Sequence, residues 1–331
     1  MTANNSVIRI ALVGCGRISQ VHLQTIQNET RAKLVGVADT DRKAAESTAE
    51  AFGITPSYDA GEMLEKVKPD ALVICSPPNT HRAIAEHALR SGVHVLCEKP
   101  LATRVEDAEA MVTTARECDR VLMMASKFRY VQDIIRAKNI IESGILGEII
   151  VFENEFCSRV DMKNRWNAKY EIAGGGVLID NGSHSVDIVR YLIGPIESQQ
   201  AIYGKRWQSL EVEDTSRLFV RCTDGTIASI DLSWSIHKES PYFIRVYGTE
   251  GMLEVGWSSS RYRQSEKLGW ISFGSGYDKF RAVGSQLSNF IETITGAGRA
   301  LITAEDAVES VRVIQSAYKA AQENHWEKVA T

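Results

Sequence analysis

The chain has 331 residues, 44% of them hydrophobic and 24% charged, with 38 Lys and Arg against 42 Asp and Glu for a net charge of −4. That balance excludes a disordered chain, which would be less apolar, and a nucleic-acid surface working by phosphate attraction, which would carry a basic excess. No apolar run approaches the ~18 residues that span a bilayer, and residues 1–9 carry neither the basic nor the apolar segment of a secretion signal. A soluble protein of the cytoplasm, with roughly two domains, is expected. Cys15, Cys75, Cys97, Cys118, Cys157 and Cys222 form no CxxC pair and no Cys/His cluster, which fits a reducing compartment and predicts no metal site.

Compact apolar runs at 8–13, 34–38, 71–75, 93–96 and 121–124 alternate with amphipathic stretches at 18–28, 42–52, 61–66, 81–91 and 105–118. Runs of that length suit strands covered on both faces, and the stretches between suit crossover helices, so residues 1–126 read as a doubly wound parallel α/β sheet of the Rossmann type. After about residue 145 strands follow strands: 149–156, 197–203, 216–222, 226–234, 242–247 and 252–255, with short turns at 223–225 and 248–251. Helices are predicted over about 128–143, 177–192, 281–295 and 304–323. Residues 127–331 therefore read as an α+β domain on an open, largely antiparallel sheet. The stretch 256–276 reads as a surface loop, and Trp207, Trp234 and Trp257 as packing residues of the sheet.

Four motifs and one acidic residue carry chemistry. Gly14-Cys15-Gly16-Arg17-Ile18-Ser19 follows the first strand and opens the first helix, the context in which a glycine turn brings backbone N–H groups to a pyrophosphate. Asp39 ends the second strand, where a carboxylate accepts from ribose hydroxyls and repels a 2′-phosphate; this favours NAD over NADP, although Arg42 offers a phosphate partner. Ser76-Pro77-Pro78-Asn79-Thr80-His81 and Glu98-Lys99-Pro100 follow the fourth and fifth strands, at the carboxyl edge where such sheets bind ligands. His81 either caps the next helix or touches the cofactor. Finally, Gly174-Gly175-Gly176 precedes a helix on which Asp180, His184, Asp187 and Tyr191 share one arc of about 60°. The glycines read as a pocket floor that lets backbone approach a ligand.

Together and in this order, these motifs resemble the glucose–fructose oxidoreductase/inositol dehydrogenase (Gfo/Idh/MocA) family along essentially the whole chain. The resemblance implies an NAD(P)-dependent oxidoreductase acting on a secondary alcohol of a sugar, inositol or similar polyol, or on the matching ketone. It implies Lys99, Asp180 and His184 as catalytic residues. Gly14, Gly16, Arg17, Ile18, Asp39, Arg42, Ser76, Pro77, Asn79, His81, Glu98, Lys99, Arg129 and Trp166 would meet the cofactor, Arg129 near the nicotinamide. Lys99, Arg165, Trp166, Tyr170, Asp180, Asn181 and His184 would meet the substrate. His184 is read as general base and Lys99 as hydrogen-bonding the reacting oxygen, with Lys99 as the competing proton-transfer group. A sheet-to-sheet homodimer or homotetramer is also implied. Two other functions share such a fold: a glycoside hydrolase that oxidises its substrate transiently with held NAD, and a non-catalytic NAD sensor.

Overall fold

The computed structural model describes residues 7–265 and 268–329. Their packing forms two units, one of residues 7–127 with 280–308 and one of residues 128–279 with 309–329. The first segment of the first unit ends at 127, and residues 280–308, read above with the second domain, cluster with it.

In the first unit β1 (Ile8–Val13), β2 (Ala32–Ala38), β3 (Pro56–Ser57), β4 (Ala71–Ile74), β5 (His94–Glu98) and β6 (Leu122–Ala125) form one parallel sheet in the order β3-β2-β1-β4-β5-β6. This order reverses direction between β1 and β4, the switch point at which doubly wound sheets open a ligand crevice. The helices α1 (Ser19–Asn28), α2 (Arg42–Phe52), α3 (Ala60–Val67), α4 (His81–Arg90) and α5 (Val105–Glu117) make the crossovers. Ile10, Leu12, Leu72, Ile74 and Leu96 are fully enclosed, each contributing about 1.5–3 kcal/mol of burial, which is why these strands read as compact apolar runs. Asp41 caps α2 by accepting from Lys43 and Ala44 N–H, and Asp59 caps α3 by accepting from Glu62 N–H.

The second unit contains α6 (Gln132–Glu142), β7 (Ile149–Cys157), α7 (Tyr170–Ala173), α8 (Val177–Leu192), β8 (Ile196–Tyr203), β9 (Thr215–Cys222), β10 (Ile227–Ser233), β11 (Tyr242–Gly248), β12 (Met252–Gly256), β13 (Ser260–Arg263) and β14 (Ile271–Gly274). Beyond them run α9 (Lys279–Ile294), which begins at the edge of the first unit's second segment, α10 (Ala304–Glu323) and β15 (Glu327–Lys328). Nine strands pair in the order β14-β13-β12-β11-β7-β10-β9-β8-β15. All pairings are antiparallel except β7 with β10, which run parallel. β8, β9 and β10 pair in succession, as do β11, β12, β13 and β14, whereas β7 lies between β10 and β11, partners far along the chain and beyond the reach of a turn signal.

Alternation on β10 and β9 sends Ala228, Ile230, Leu232, Leu218 and Val220 inward, where α8 packs. Arg217, Phe219, Ile227 and Asp231 stand on the open face. Two expectations change here. The stretch 256–276 is not simply a loop, because β13 and β14 extend the sheet edge within it; residues 266 and 267 lie outside the described residues. Trp234 is buried as expected, but Trp207 is 66% exposed and lies on the connection after β8, so it packs no sheet. Among the described residues no helix is long and apolar enough to cross a membrane.

Candidate active site

In the first unit the glycine turn sits at the end of β1 with its two glycines doing different jobs. Gly14 has φ +90°, and a Cβ there would lie 2.5 Å from Ser76 N, so the residue lets the β1 and β4 loops touch. Gly16 is exposed, and a Cβ would meet nothing within 4 Å. Ser19, where a third glycine was the usual choice, is fully buried and donates from Oγ to Gly16 O at 2.6 Å, fixing the turn. Ile18 is the N-cap of α1, Arg17 is exposed, and the first turn of α1 carries no acidic residue. Open space, backbone donors and the positive helix end together suit a pyrophosphate.

Asp39 accepts from Cys15 N–H at 2.6 Å and from Asp41 N–H at 2.9 Å. It is half-buried and, as a carboxylate with about four lone-pair sites, retains capacity for ribose hydroxyls. Those features fit NAD. The Arg42 guanidinium stacks over the Tyr58 ring at 4.1 Å.

After β4, Ser76 Oγ and Thr80 Oγ1 share a hydrogen bond at 2.7 Å, Pro77 is half-buried and Asn79 is exposed. His81 departs from both expected roles. It has no exposed surface, its Nε2 faces Ser76 O at 2.9 Å, and its Nδ1 faces Pro100 O and Leu101 O at 3.0 and 3.2 Å. Burial pushes its protonation below the usual imidazole range, against the three carbonyls, which favour the cation. The ring ties the β4 loop to the segment after β5 and has no face left for a cofactor.

Glu98 also turns inward. Its Oε1 lies 2.9 Å from Nε2 of His22, a residue that sequence reasoning passed over, and its Oε2 accepts from Lys99 N–H at 3.2 Å. Burial opposes the charge, but the hydrogen bond and charge of His22, with Lys127 and Lys99, outweigh it and hold the carboxyl below its ordinary range. Lys99 follows, half-buried, with a cis bond to Pro100.

In the second unit α8 buries twelve of its sixteen residues, so the polar arc is no solvated face. His184 is 6% exposed, and its ring meets Phe128 edge-on at 4.9 Å. Phe128 also packs against Phe156 and stacks on Tyr277. Asp187 is fully buried and binds Arg129, whose Nε donates at 3.0 Å. The Arg129 guanidinium, expected near a nicotinamide, is committed to that ion pair and lies against the Tyr191 ring at 5.3 Å. Asp180 and Asn181 keep partial exposure, and Asn181 donates to Phe156 O at 3.3 Å.

The segment between β7 and α8 holds the remaining residues. Arg165 is half-buried, and Trp166 and Tyr170 are exposed. Gln208, missed in the sequence, stitches this segment down: it accepts from Met162 N–H at 2.9 Å and donates to Val160 O at 2.9 Å and Trp234 O at 3.2 Å.

The glycine run is also different from its reading. Gly174 ends α7 at φ +76° and Gly176 is the N-cap of α8. What their bare backbone approaches is protein: a Cβ would lie 1.8 Å from Tyr318 Oη at Gly175 and 1.9 Å from Glu213 O at Gly176. Among the described residues one group has metal-ligand spacing, Glu323, His325 and Glu327; Glu323 and His325 are exposed and already pair with each other at 2.6 Å.

Two family models match the chain: the oxidoreductase family with an NAD-binding Rossmann fold over residues 8–126, and the GFO/IDH/MocA C-terminal domain over 134–254. D-glucoside 3-dehydrogenase of Escherichia coli is 34% identical over 57% of this chain, a match spanning about half (55%) of that protein. Rhizopine catabolism protein MocA of Rhizobium meliloti is 26% identical over 93% of both chains. The WlbA dehydrogenase from Bordetella pertussis, solved with NADH and UDP-GlcNAcA, superposes with a TM-score of 0.86 at 27% identity, covering 98% of this chain and 99% of that one.

Proposed function

Because the chain belongs to the Gfo/Idh/MocA family of NAD-binding oxidoreductases, we propose that it moves hydride between NAD and a secondary alcohol, or the matching ketone, of a sugar, sugar derivative or inositol. The observation that carries this reading is the placement of Asp180 and His184 one turn apart on α8, the first partly open and the second held edge-on by Phe128. Two of the relatives are dehydrogenases by name, one of a glucoside and one solved with a nucleotide sugar, and neither the hydrolase nor the sensor reading is favoured.

Bound NAD supplies the hydride acceptor. His184 takes the hydroxyl proton in the oxidation direction, since imidazole is the side chain whose ordinary pKa lies nearest neutrality. Asp180, one turn earlier, orients it. Lys99 donates a hydrogen bond to the reacting oxygen and stabilises the charge that develops there. Gly14, Gly16, Arg17 and Ile18 take the pyrophosphate and Asp39 the ribose, which favours NAD over NADP, while Ser76, Pro77 and Asn79 line the approach from β4. Arg165, Trp166, Tyr170 and Asn181 are the proposed substrate contacts.

A panel of sugars and polyols with NAD and NADP, followed by absorbance of the reduced cofactor, tests the reading. Turnover with NAD that falls at least a hundredfold in His184→Ala supports it. Near-normal turnover in that variant transfers the proton step to Lys99, and preference for NADP overturns the role of Asp39.

We further propose a homodimer or homotetramer joined through the open face of the nine-stranded sheet, on which Phe219 and Ile227 are 42% and 49% exposed. A monomer in equilibrium sedimentation at micromolar concentration contradicts this. The six free cysteines support a cytoplasmic location.

A further inference from the structure

Helix α8 has an unusual start. Its N-cap, Gly176, has no side chain to cap the helix, yet the first N–H groups of a helix need partners when buried. One residue distant in sequence supplies them. Glu213 accepts on Oε1 from Gly176 N–H at 2.9 Å and from Leu178 N–H at 3.0 Å, and on its backbone O from Val177 N–H at 2.9 Å. Tyr318, from α10, donates to the same Oε1 at 2.8 Å. Glu213 is 6% exposed, and the closeness is possible only because residues 175 and 176 lack side chains.

We infer that Glu213 is a positioning residue for catalysis: by holding the first three N–H groups of α8 it sets the height and rotation of the helix that presents Asp180 and His184. The inference rests on the proposed chemical roles of those two residues. Asp180 lies about 6 Å and His184 about 12 Å along the axis from Gly176, so a displaced start moves both side chains together. The side-chain Oε1 holds two of the three, Gly176 N–H and Leu178 N–H, and the backbone O holds Val177 N–H. A glutamine, which keeps Oε1, retains all three; an alanine releases the first and third and leaves only the backbone bond.

Three measurements on the full-length protein test this: NADH affinity by fluorescence, kcat and KM on the best substrate of the sugar panel, and the NMR resonance of the His184 ring, assigned by its loss in His184→Ala. Glu213→Ala is expected to lower kcat about 10- to 100-fold, the scale of a displacement near 1 Å. NADH affinity stays within about twofold, since the cofactor turn belongs to the other unit, and the His184 resonance moves. Glu213→Gln should restore kcat and resonance alike. A folded Glu213→Ala protein with kcat within about twofold of wild type, an unmoved resonance, or a Glu213→Gln protein as impaired as the alanine variant each overturns the inference. Where Glu213→Ala does not fold, Glu213→Asp replaces it, keeping the charge but shortening the reach by one methylene; the same fall in kcat supports the inference and unchanged kcat overturns it. If the wild type turns over nothing in the panel, the oxidoreductase reading fails, and the His184 resonance alone decides whether Glu213 holds the helix.

Discussion

Replacing Asp187 by leucine is expected to destabilise the second unit by about 3–5 kcal/mol, the penalty for removing one member of a buried ion pair. The environment sets that scale: the Arg129 side chain is 4% exposed and the Asp187 side chain 0%, and both Nε and Nη2 of Arg129 lie within 3.0 Å of the same carboxylate oxygen. In Asp187→Leu the guanidinium keeps its contact with the Tyr191 ring, worth about 1–2 kcal/mol for a desolvated cation, but loses the charge that neutralises it. For a unit of this size each kcal/mol lowers the melting temperature by about 2–4 °C, so a fall of roughly 6–20 °C is expected. Removing both charges, as Arg129→Met with Asp187→Leu, should recover most of it, because apolar groups of similar volume restore packing without desolvated charge. Thermal unfolding of the wild type, the two single variants and the double variant measures this directly. A fall below about 3 °C in Asp187→Leu, or a double variant as unstable as the sum of the singles, refutes the reasoning.

The two glycines of the cofactor turn separate folding from binding. Gly16→Ala should leave the melting temperature unchanged, because its Cβ enters open space, and should weaken NADH binding at least tenfold by occupying the approach of the pyrophosphate; calorimetric titration checks it, and full affinity would mean the dinucleotide does not pass Gly16. Gly14→Ala should fail earlier, in expression or thermal stability, since its Cβ would lie 2.5 Å from Ser76 N at φ +90°. The buried glutamates should tilt stability against pH in opposite directions. Glu98 is held below its ordinary 4.5, so its contribution is present above that pH and is lost as pH falls through the lower folded value. Glu213 is raised above 4.5 by burial, despite the hydrogen bonds from Tyr318, Leu178 and Gly176, so its contribution is present below 4.5 and is lost as pH rises through the higher folded value. Urea midpoints across the acid and neutral range should therefore flatten on the acid limb in Glu98→Gln and lose their decline toward neutral pH in Glu213→Gln; the same slope change in both would be inconsistent with the two environments.

The parallel sheet was legible because its central strands are covered on both faces, so burial writes short apolar runs at Ile10–Val13, Ala71–Ile74 and Val95–Cys97. β3 was not, having two residues and no room for a pattern. In the second unit the hairpin strands announced themselves by alternation and turns, whereas β13 and β14 are four residues each at the end of the sheet, with sequences SRYR and ISFG and only Ser260 buried, so they carry little apolar signal. Residues 280–308 illustrate a different limit. Amphipathicity predicts that a segment is helical and which face it hides, but both units offer apolar surface, and nothing within the segment says which of them it joins.

At the site, what could be read were residues fixed by partners a few positions away, Ser19 on Gly16 and Asp39 on Asp41, or placed by a motif, as Asp39 is at the end of β2, 24 residues beyond its other partner Cys15. What could not were supports closed across the chain. His22 meets Glu98 from 76 residues away, Gln208 reaches Met162 across 46, and Tyr318 reaches Glu213 across 105. The consequence is visible at Gly174–Gly176, where a correct physical premise, that glycine permits close approach, led to a ligand as the thing approached. Glu213 and Tyr318 fill that place instead. His81 and Glu98 follow the same logic: each stands in a ligand-edge motif, and each spends its polar atoms on the protein, bracing the segments that carry Ser76 and Lys99. A motif of this kind therefore contains residues that brace the protein as well as residues left open, and burial tells the two apart.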